Sequence, residues 1–428
     1  MSQADRIRLE EFRQFKKEVR GSAEYLIVGI DVAKDKHHAF LGTATGKALY
    51  RRLVFENDLE GFRKLLVQVE ALKVQHGLSR VVFGLEPTGN YHKPLGEHLI
   101  KCGHRVVFVS GVAVKENRKS LDGRWDKHDD KDAANVADLV SRGRCLFYEY
   151  PGMALRDLRD LLSLKRRLRR IEHGHRVRIR NHLVAEYFPE LERYYEQSQK
   201  VSLAVVRWCL DPSVIAGMEY GKFEQLVAPG RERLYQEKRL PLIWKMAVDS
   251  VGCEVGEGAE FEAKVMVEGL RQIRESLRAL DEKIQEICSG FAEYDFLLSI
   301  PGFGPDVSSK VLGAIGDPFR FQSGAQVLKL AGYDLSAERS GKSAEMVPPV
   351  ISKKGKADLR YALYQAALIA SVRDRHFMVY FSDRLRGRER EPGIKTKMRV
   401  KLAAKLLIIA WTLMKKKEPF NPDYLKSA

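Results

Sequence analysis

The chain has 428 residues, with 74 Lys and Arg against 57 Asp and Glu, a formal net charge of +17, and 44% hydrophobic residues. That length exceeds one ordinary domain, the apolar fraction is enough to build real cores, and the positive excess favours a polyanionic partner. Cys102, Cys145, Cys209, Cys253 and Cys288 are scattered, odd in number and never in CxxC spacing, which argues against a zinc ribbon and against a disulfide framework.

The first twenty residues are charged, with no apolar core of a signal peptide, and read as a polar helix or arm. From Tyr25, YLIVGIDVAK is a β-rich apolar run closing on an aspartate, and the next stretch reads as two strands around a Thr-Gly-Lys turn. Residues 58–74 have helical periodicity through Leu59, Phe62, Leu65 and Leu66. SRVVFGLEPTG is a buried strand ending in a glutamate, NYHKPLGEHLIKCG a helix closed by Gly103, and HRVVFVS a further strand. Strands alternating with helices imply an α/β domain over residues 25–150 with a mostly parallel sheet, following an arm at 1–24.

Beyond residue 150 the pattern turns helical. A long helix over 154–182 carries Leu161, Leu164, Leu168 and Ile171, and 263–287 carries Met266, Leu270, Ile273, Leu277, Leu280, Ile284 and Ile287. The second set is an a/d seam of about three heptads, fitting a coiled coil, a helical hairpin or one face of a bundle. Residues 151–290 are therefore read as a coiled-coil and helical insertion, and 291–428 as a mostly α-helical C-terminal domain. LAAKLLIIAWTLM (402–414) is shorter than the ~18 apolar residues of a membrane span and contains Lys405, so it reads as a core helix. No membrane association and a cytoplasmic location at the nucleoid are expected.

Asp31 and Glu86 each end an apolar run, and in open α/β sheets ligands gather at the carboxyl ends of strands. In WDKHDDKDAANVADLV, Asp129 and Asp132 share one helical face with Val136 and Val140, with Asp126 as rival. Four carboxylates suit two hard cations, Mg2+ or Mn2+, set to activate a nucleophile and stabilise a leaving oxygen of a phosphodiester. In LSAERSGKSAEM, Ser340 precedes a glycine and stands between Arg339 and Lys342, surroundings that favour an alkoxide and an anionic substrate; Ser336 and Ser343 have equal standing on composition. IPGFGP resembles the turn of a helix-hairpin-helix, where Gly302 and Gly304 allow backbone N–H groups to approach a phosphate. Arg166, Arg167, Arg169, Arg170, Arg176, Arg178 and Arg180 make a dense cationic helix suited to phosphates and bases, with Glu172 its only acidic residue, and Lys353 and Lys354 add a basic pair.

These motifs resemble the DEDD transposases of compact bacterial insertion sequences, the bridge-RNA-guided recombinases. VGIDVAKDKH, GLEPTGNYH and the Lys127 to Ala133 segment are similar to the family's RuvC-like, ribonuclease H-fold domain; the central helices to its coiled-coil linker; and SIPGFGP, LKLAGYDLSAERSGK and ISKKGKADLRYALYQAA to its C-terminal transposase domain. The resemblance implies a metal-binding D-E-D-D set at Asp31, Glu86, Asp129 and Asp132, preferring Asp129 over Asp126, and a nucleophilic serine at Ser340. Where family members often carry a proline and a second serine, this loop reads YDLSAERSG, which keeps Ser336 beside Ser340. It further implies Mg2+, donor and target DNA, a structured guide RNA and a homo-oligomer, a dimer or a synaptic tetramer. Two other functions fit the residues: a RuvC-like junction nuclease that uses water, and a non-catalytic basic RNA-binding scaffold.

Overall fold

A computed structural model describes residues 3–122, 129–192, 199–227, 239–336 and 350–425, and side chains for most of these. The chain divides into two compact units, Met1–Gly152 and Met153–Ala428.

The first unit is a mixed α/β domain. After helix α1 (Gln3–Glu18) come β1 (Tyr25–Asp31), β2 (Lys36–Thr43), β3 (Ala48–Glu56), α2 (Leu59–His76), β4 (Arg80–Leu85), α3 (His92–Lys101), β5 (Arg105–Phe108), α4 (Gly111–Asp122), α5 (Asp129–Ser141) and the short β6 (Leu146–Phe147). The sheet runs in the order β3-β2-β1-β4-β5-β6. Only β1 with β4 and β4 with β5 are parallel; the other neighbours are antiparallel, which corrects the expectation of a mostly parallel sheet. For β1–β2 and β2–β3 the reason is loop length. A parallel pair needs a crossover of about a dozen residues or more, and the β1–β2 and β2–β3 links are too short for one. The second link is a tight turn, with Gly46 at φ +93° and the Thr43 N–H bonded to the Lys47 carbonyl at 2.9 Å.

Alternation along the strands sends side chains to two cores. Leu26, Val28, Ile30, Phe83 and Leu85 pack with Phe62, Leu65 and Val69 of α2 and Leu95 and Leu99 of α3. Tyr25, Ile27, Val82 and Val107 meet Val136, Ala137 and Val140 of α5 on the other face, as the expected Val136/Val140 stripe requires. Helix α2 is fixed at both ends: the Asp58 carboxylate accepts from the Gly61 N–H at 2.8 Å, and Gly77 closes it in the left-handed conformation.

Among the described residues, the second unit is helical apart from one two-stranded ladder. α6 (Met153–Arg178) continues through a π-turn at Ile179–Val184 into a cluster of shorter helices, α7 (Gln199–Trp208), α8 (Pro212–Ala216), α9 (Tyr220–Val227) and α10 (Leu240–Val248). α11 (Glu257–Ser289) then returns antiparallel to α6: Leu155 and Leu158 share a core with Leu280 and Ile284, while Ile179 and Leu183 share another with Val267 and Leu270. The heptad seam of α11 is thus spent on a hairpin within the chain. Leu270, Leu277, Leu280 and Ile284 are buried, and Met266, Ile273 and Ile287 half-buried. On α6 half of the expected stripe holds: Leu161 and Leu168 pack half-buried against the core, while Leu164 and Ile171 are exposed and Leu155, Leu158 and Lys165 are the buried positions.

The remaining elements are α12 (Ala292–Leu298), α13 (Pro305–Ile315), α14 (Gly324–Ala331), β7 (Leu335–Ser336), β8 (Val350–Ile351), α15 (Ala357–Arg373), α16 (Arg375–Leu385) and α17 (Ile394–Lys416). α17 carries the 402–414 run and buries Leu402, Leu406, Leu407, Ala410 and Leu413, so it is a core helix. No helix among the described residues is long and apolar enough to cross a membrane. All five cysteines are free thiols.

Candidate active site

β1 ends in Gly29-Ile30-Asp31 and β4 leads into Gly84-Leu85-Glu86. The two strands are parallel and in register, Gly29 opposite Gly84 and Ile30 opposite Leu85, and the Glu86 N–H continues the ladder to the Ile30 carbonyl at 3.4 Å. Two residues on from a glycine is the same face. Both glycines lie under α5: a Cβ on Gly29 would stand 2.2 Å from the Ala133 carbonyl oxygen, and one on Gly84 would stand 2.6 Å from a Val140 methyl. Asp31 and Glu86 therefore sit side by side at the carboxyl end of the sheet, on the face that α5 covers, each half-buried.

Asp132 immediately precedes Ala133, the residue seated on Gly29, so its backbone lies at this same end. It is 2% exposed and paired with the Arg118 guanidinium of α4. α4 is tied to α5 a second time by Asn117, which donates to Asp138 at 2.8 Å and to Asn135 at 3.3 Å. α4 begins at Gly111, where a Cβ would come within 2.7 Å of Glu86 Oε1, so the glutamate side chain lies against the opening of that helix. Asp129 is the first residue of α5; its side chain, and Asp126 entirely, fall outside the described residues. Among the described residues no three Asp, Glu, His or Cys side chains stand together as a ready metal cage.

The segment leaving Asp31 is pinned from two sides. The buried His37 accepts the Ala33 N–H through Nδ1 at 3.2 Å, and its ring lies between Phe55 and Phe62. Asn57 donates from its side chain to the Lys34 carbonyl at 3.1 Å and from its backbone to the Asp35 carbonyl at 2.9 Å. Burial pushes His37 below its usual pKa, keeping the ring neutral and able to accept. A cavity of about 1000 Å3 lies at the other end of the sheet, between α1 and the starts of β1, β4 and β5, and holds none of the candidate carboxylates.

In the second unit, β7 pairs with β8, Ser336 opposite Val350, and Ser340 falls in the sequence between them. The Ser352 N–H donates to the Asp334 carbonyl at 2.7 Å, reinforcing that pairing. Arg339, Ser340, Lys342 and Ser343, with the side chain of Ser336, lie outside the described residues. Lys353 and Lys354 are exposed just after β8, Lys353 at φ +55°. Gly302 has φ +88°, and its missing Cβ would stand 2.5 Å from the Ala366 carbonyl, so close packing on α15 explains the glycine; Gly304 has open space around it.

The arginine run is less single-signed in space than in sequence. Arg166 pairs with Asp358 at 3.1 Å, Arg169 with Glu172 at 2.9 Å, Arg178 with Glu262 and Arg180 with Glu192 at 3.4 Å; Arg167 and Arg170 are exposed and Arg176 half-buried. Lys165, at the head of the run, is buried and shared by Asp281 and Asp306, whose charges outweigh burial and raise its pKa. It lines a groove of about 750 Å3 in which Arg159, Arg166, Arg169, Lys310 and the exposed Tyr361 are joined by Asp281, Asp306 and Asp358.

Residues 28–189 match the profile of a DEDD transposase domain associated with IS110, and residues 294–382 match the profile described as Transposase IS116/IS110/IS902 family. The chain belongs to the IS110/IS116 family of DEDD transposases. Its family relatives include the insertion element IS110 43.6 kDa protein of Streptomyces coelicolor, 23% identical over 85% of this chain and 88% of that one. The pilin gene-inverting protein of Moraxella bovis is 23% identical over 92% and 97%, and the transposase for insertion sequence element IS1111A of Coxiella burnetii is 24% identical over 82% and 80%. In this DEDD transposase the first matched segment contains Asp31, Glu86, Asp129 and Asp132, and Ser340 lies within the second. Sequence reasoning missed Arg118, Gly111, His37 and Asn57. The first two left no periodic signal. The repeated Gly-apolar-acid triplet, GID and GLE, was the sign that both strands share one covering helix.

Proposed function

We propose that this DEDD transposase is a DNA recombinase whose ribonuclease H-like first unit holds divalent metal and whose nucleophile is Ser340. The observation that carries the reading is the convergence of Asp31 and Glu86 on adjacent parallel strand ends beneath the helix that carries Asp132. An all-carboxylate donor set fits a hard cation such as Mg2+ or Mn2+, and Asp31, Glu86, Asp129 and Asp132 would hold it. When bound, such an ion stabilises charge on attacking and leaving phosphate oxygens. In the cleavage step the Ser340 Oγ–P bond forms and the P–O bond to the sugar breaks. The hydroxyl proton passes to solvent and the departing sugar oxygen is protonated. Arg339 and Lys342 favour the alkoxide and the phosphate. The net charge and the exposed Arg167 and Arg170 support a nucleic-acid partner. The resemblance to RNA-guided recombinases supports a guide RNA that pairs with donor and target, with the protein reading backbone and shape and acting as a homo-oligomer.

The test is a covalent trap. Purified protein is incubated with Mg2+, a plasmid carrying the element's ends and RNA transcribed from its non-coding flank. A DNA–protein adduct mapping to Ser340, lost in Ser340→Ala and reduced at least about a hundredfold in Asp31→Asn and Glu86→Gln, is the expected result. An adduct that moves to Ser336 reassigns the nucleophile. Cleavage that survives Ser340→Ala without any adduct favours the junction nuclease, and activity without RNA removes the guide.

A further inference from the structure

We infer that Arg118 is the displaceable counter-ion of the carboxylate centre: it neutralises Asp132 in the metal-free protein and must give up that partner when metal binds. The inference rests on the metal reading above. A carboxylate as buried as Asp132, 2% exposed, is strongly disfavoured as a lone anion. Its charge partner is the guanidinium of Arg118, which reaches across from α4. The pair is not a completed structural network. The Arg118 Nε–H is buried with no hydrogen-bond partner, so one side of the bridge is left unsatisfied. Asn117 already fixes α4 to α5 through Asp138 and Asn135, so the helix contact does not depend on Arg118.

Among the described residues no three carboxylates stand together as a cage. Asp132 is turned to an arginine, while Asp31 and Glu86 sit at the neighbouring strand ends. A divalent ion shared by Asp31, Glu86 and Asp132 would place two positive charges within a few ångströms of a third, and like charges at that range repel strongly in a partly buried site. Arg118 and the ion therefore compete for one carboxylate, and metal loading is an exchange of cations at Asp132. Metal-free protein keeps its buried aspartate compensated, and the freed guanidinium, with an unfilled donor, becomes available to an anion only after loading.

The experiment measures Mn2+ binding by calorimetry and electron paramagnetic resonance on wild-type protein, Arg118→Met and Arg118→Lys, with circular dichroism as the folding control. Arg118→Met keeps length and removes charge, and should bind Mn2+ about tenfold more tightly than wild type while gaining more thermal stabilisation from the ion. Arg118→Lys keeps the charge and should stay near wild type. In wild type, the assigned Arg118 15Nε–1Hε resonance should shift on adding Mg2+, a readout that needs no variant to fold. Equal or weaker Mn2+ binding in Arg118→Met, with wild type binding normally, overturns the exchange. So does an Arg118 resonance unmoved by saturating Mg2+. If neither protein binds Mn2+, or if binding ignores Asp31→Asn and Glu86→Gln, the metal reading itself fails.

Discussion

Asp31 and Glu86 stand at the ends of two hydrogen-bonded parallel strands, whereas Ser340 belongs to the stretch between β7 and β8, outside the described residues, and the described ladder beside it has two residues on each side. The first pair is placed by backbone periodicity, register and a helix seated on two glycines. Rigid elements fix side-chain direction, and loops carry chemistry without advertising it in spacing. The Asp31–Glu86 pair is therefore expected to fail when its seating is disturbed, and the helical unit when its buried charges are. Four perturbations separate the two.

The largest effect is expected at Gly29. Its missing Cβ would overlap the Ala133 carbonyl oxygen at 2.2 Å and the Ala137 nitrogen at 2.4 Å, both backbone atoms that cannot rotate away. Gly29→Ala must lift α5 off the sheet, with a loss of about 3 kcal/mol or more by overpacking. Gly84→Ala meets side-chain methyls of Val140 and Val136 and should lose about 1–2 kcal/mol. Denaturant unfolding of both variants checks the order. Equal effects would mean that α5 is not seated as closely on β1 as on β4.

Next comes Lys165 in the helical unit. Lys165→Met removes the cation shared by Asp281 and Asp306, whose side chains are 36% and 49% exposed and so recover part of their hydration. A loss of about 1–3 kcal/mol is expected, below that of breaking a fully buried pair. Adding Asp306→Asn should restore part of it, measured as a double-mutant cycle. No coupling would mean that the bridge contributes nothing to stability.

Acid should loosen the two units at different pH. Burial lowers His37, His92 and His104 below their ordinary 6.5, all in the first unit. Above pH 6.5 neither folded nor unfolded chain holds these protons. As pH falls below 6.5 the unfolded chain takes them first, so stability drops until the folded values are passed. In the second unit Glu172 and Asp306 are lowered: burial opposes this, but Arg169 and Arg274 at Glu172, and Lys165 and Lys310 at Asp306, prevail. Their contribution is complete above their ordinary values of 4.5 and 3.8 and is lost as pH falls through the folded ones. Hydrogen exchange followed by mass spectrometry from pH 7 to 4 should show β1 to β5 opening before α6 and α11. The reverse order would contradict the assignment of neutral buried histidines.

Much of this was legible in the residues. The runs closing on Asp31 and Glu86, the Val136/Val140 face and the α11 seam all follow from period 2 or period 3.6 burial. The sheet's mixed direction was missed because apolar runs identify buried strands but not their direction, which the short links decide for β1–β2 and β2–β3. The burial of Lys165 on α6 was not legible, because it depends on aspartates 116 and 141 positions away that no local window contains. Arg118 was missed for the same reason: a lone arginine on a polar helix becomes informative only when the buried carboxylate opposite it is known.

The smallest change in stability, and the sharpest separation of fold from site, is expected at Gly111. Its absent Cβ would stand 2.7 Å from Glu86 Oε1, the far end of a side chain that can swing aside. Its own φ is not in the left-handed region, so alanine fits the backbone, and at the start of α4 it is the better helix former. Gly111→Ala should therefore leave the unfolding midpoint unchanged within about 0.5 kcal/mol. The Glu86 carboxylate, however, must leave the place it shares with Asp31. Mn2+ binding and adduct formation should fall together in this variant while adduct-free DNA binding, followed by gel shift, stays at the wild-type level. A parallel loss of stability would make Gly111 a packing glycine like Gly29, and undiminished Mn2+ binding would mean that Glu86 works from another position.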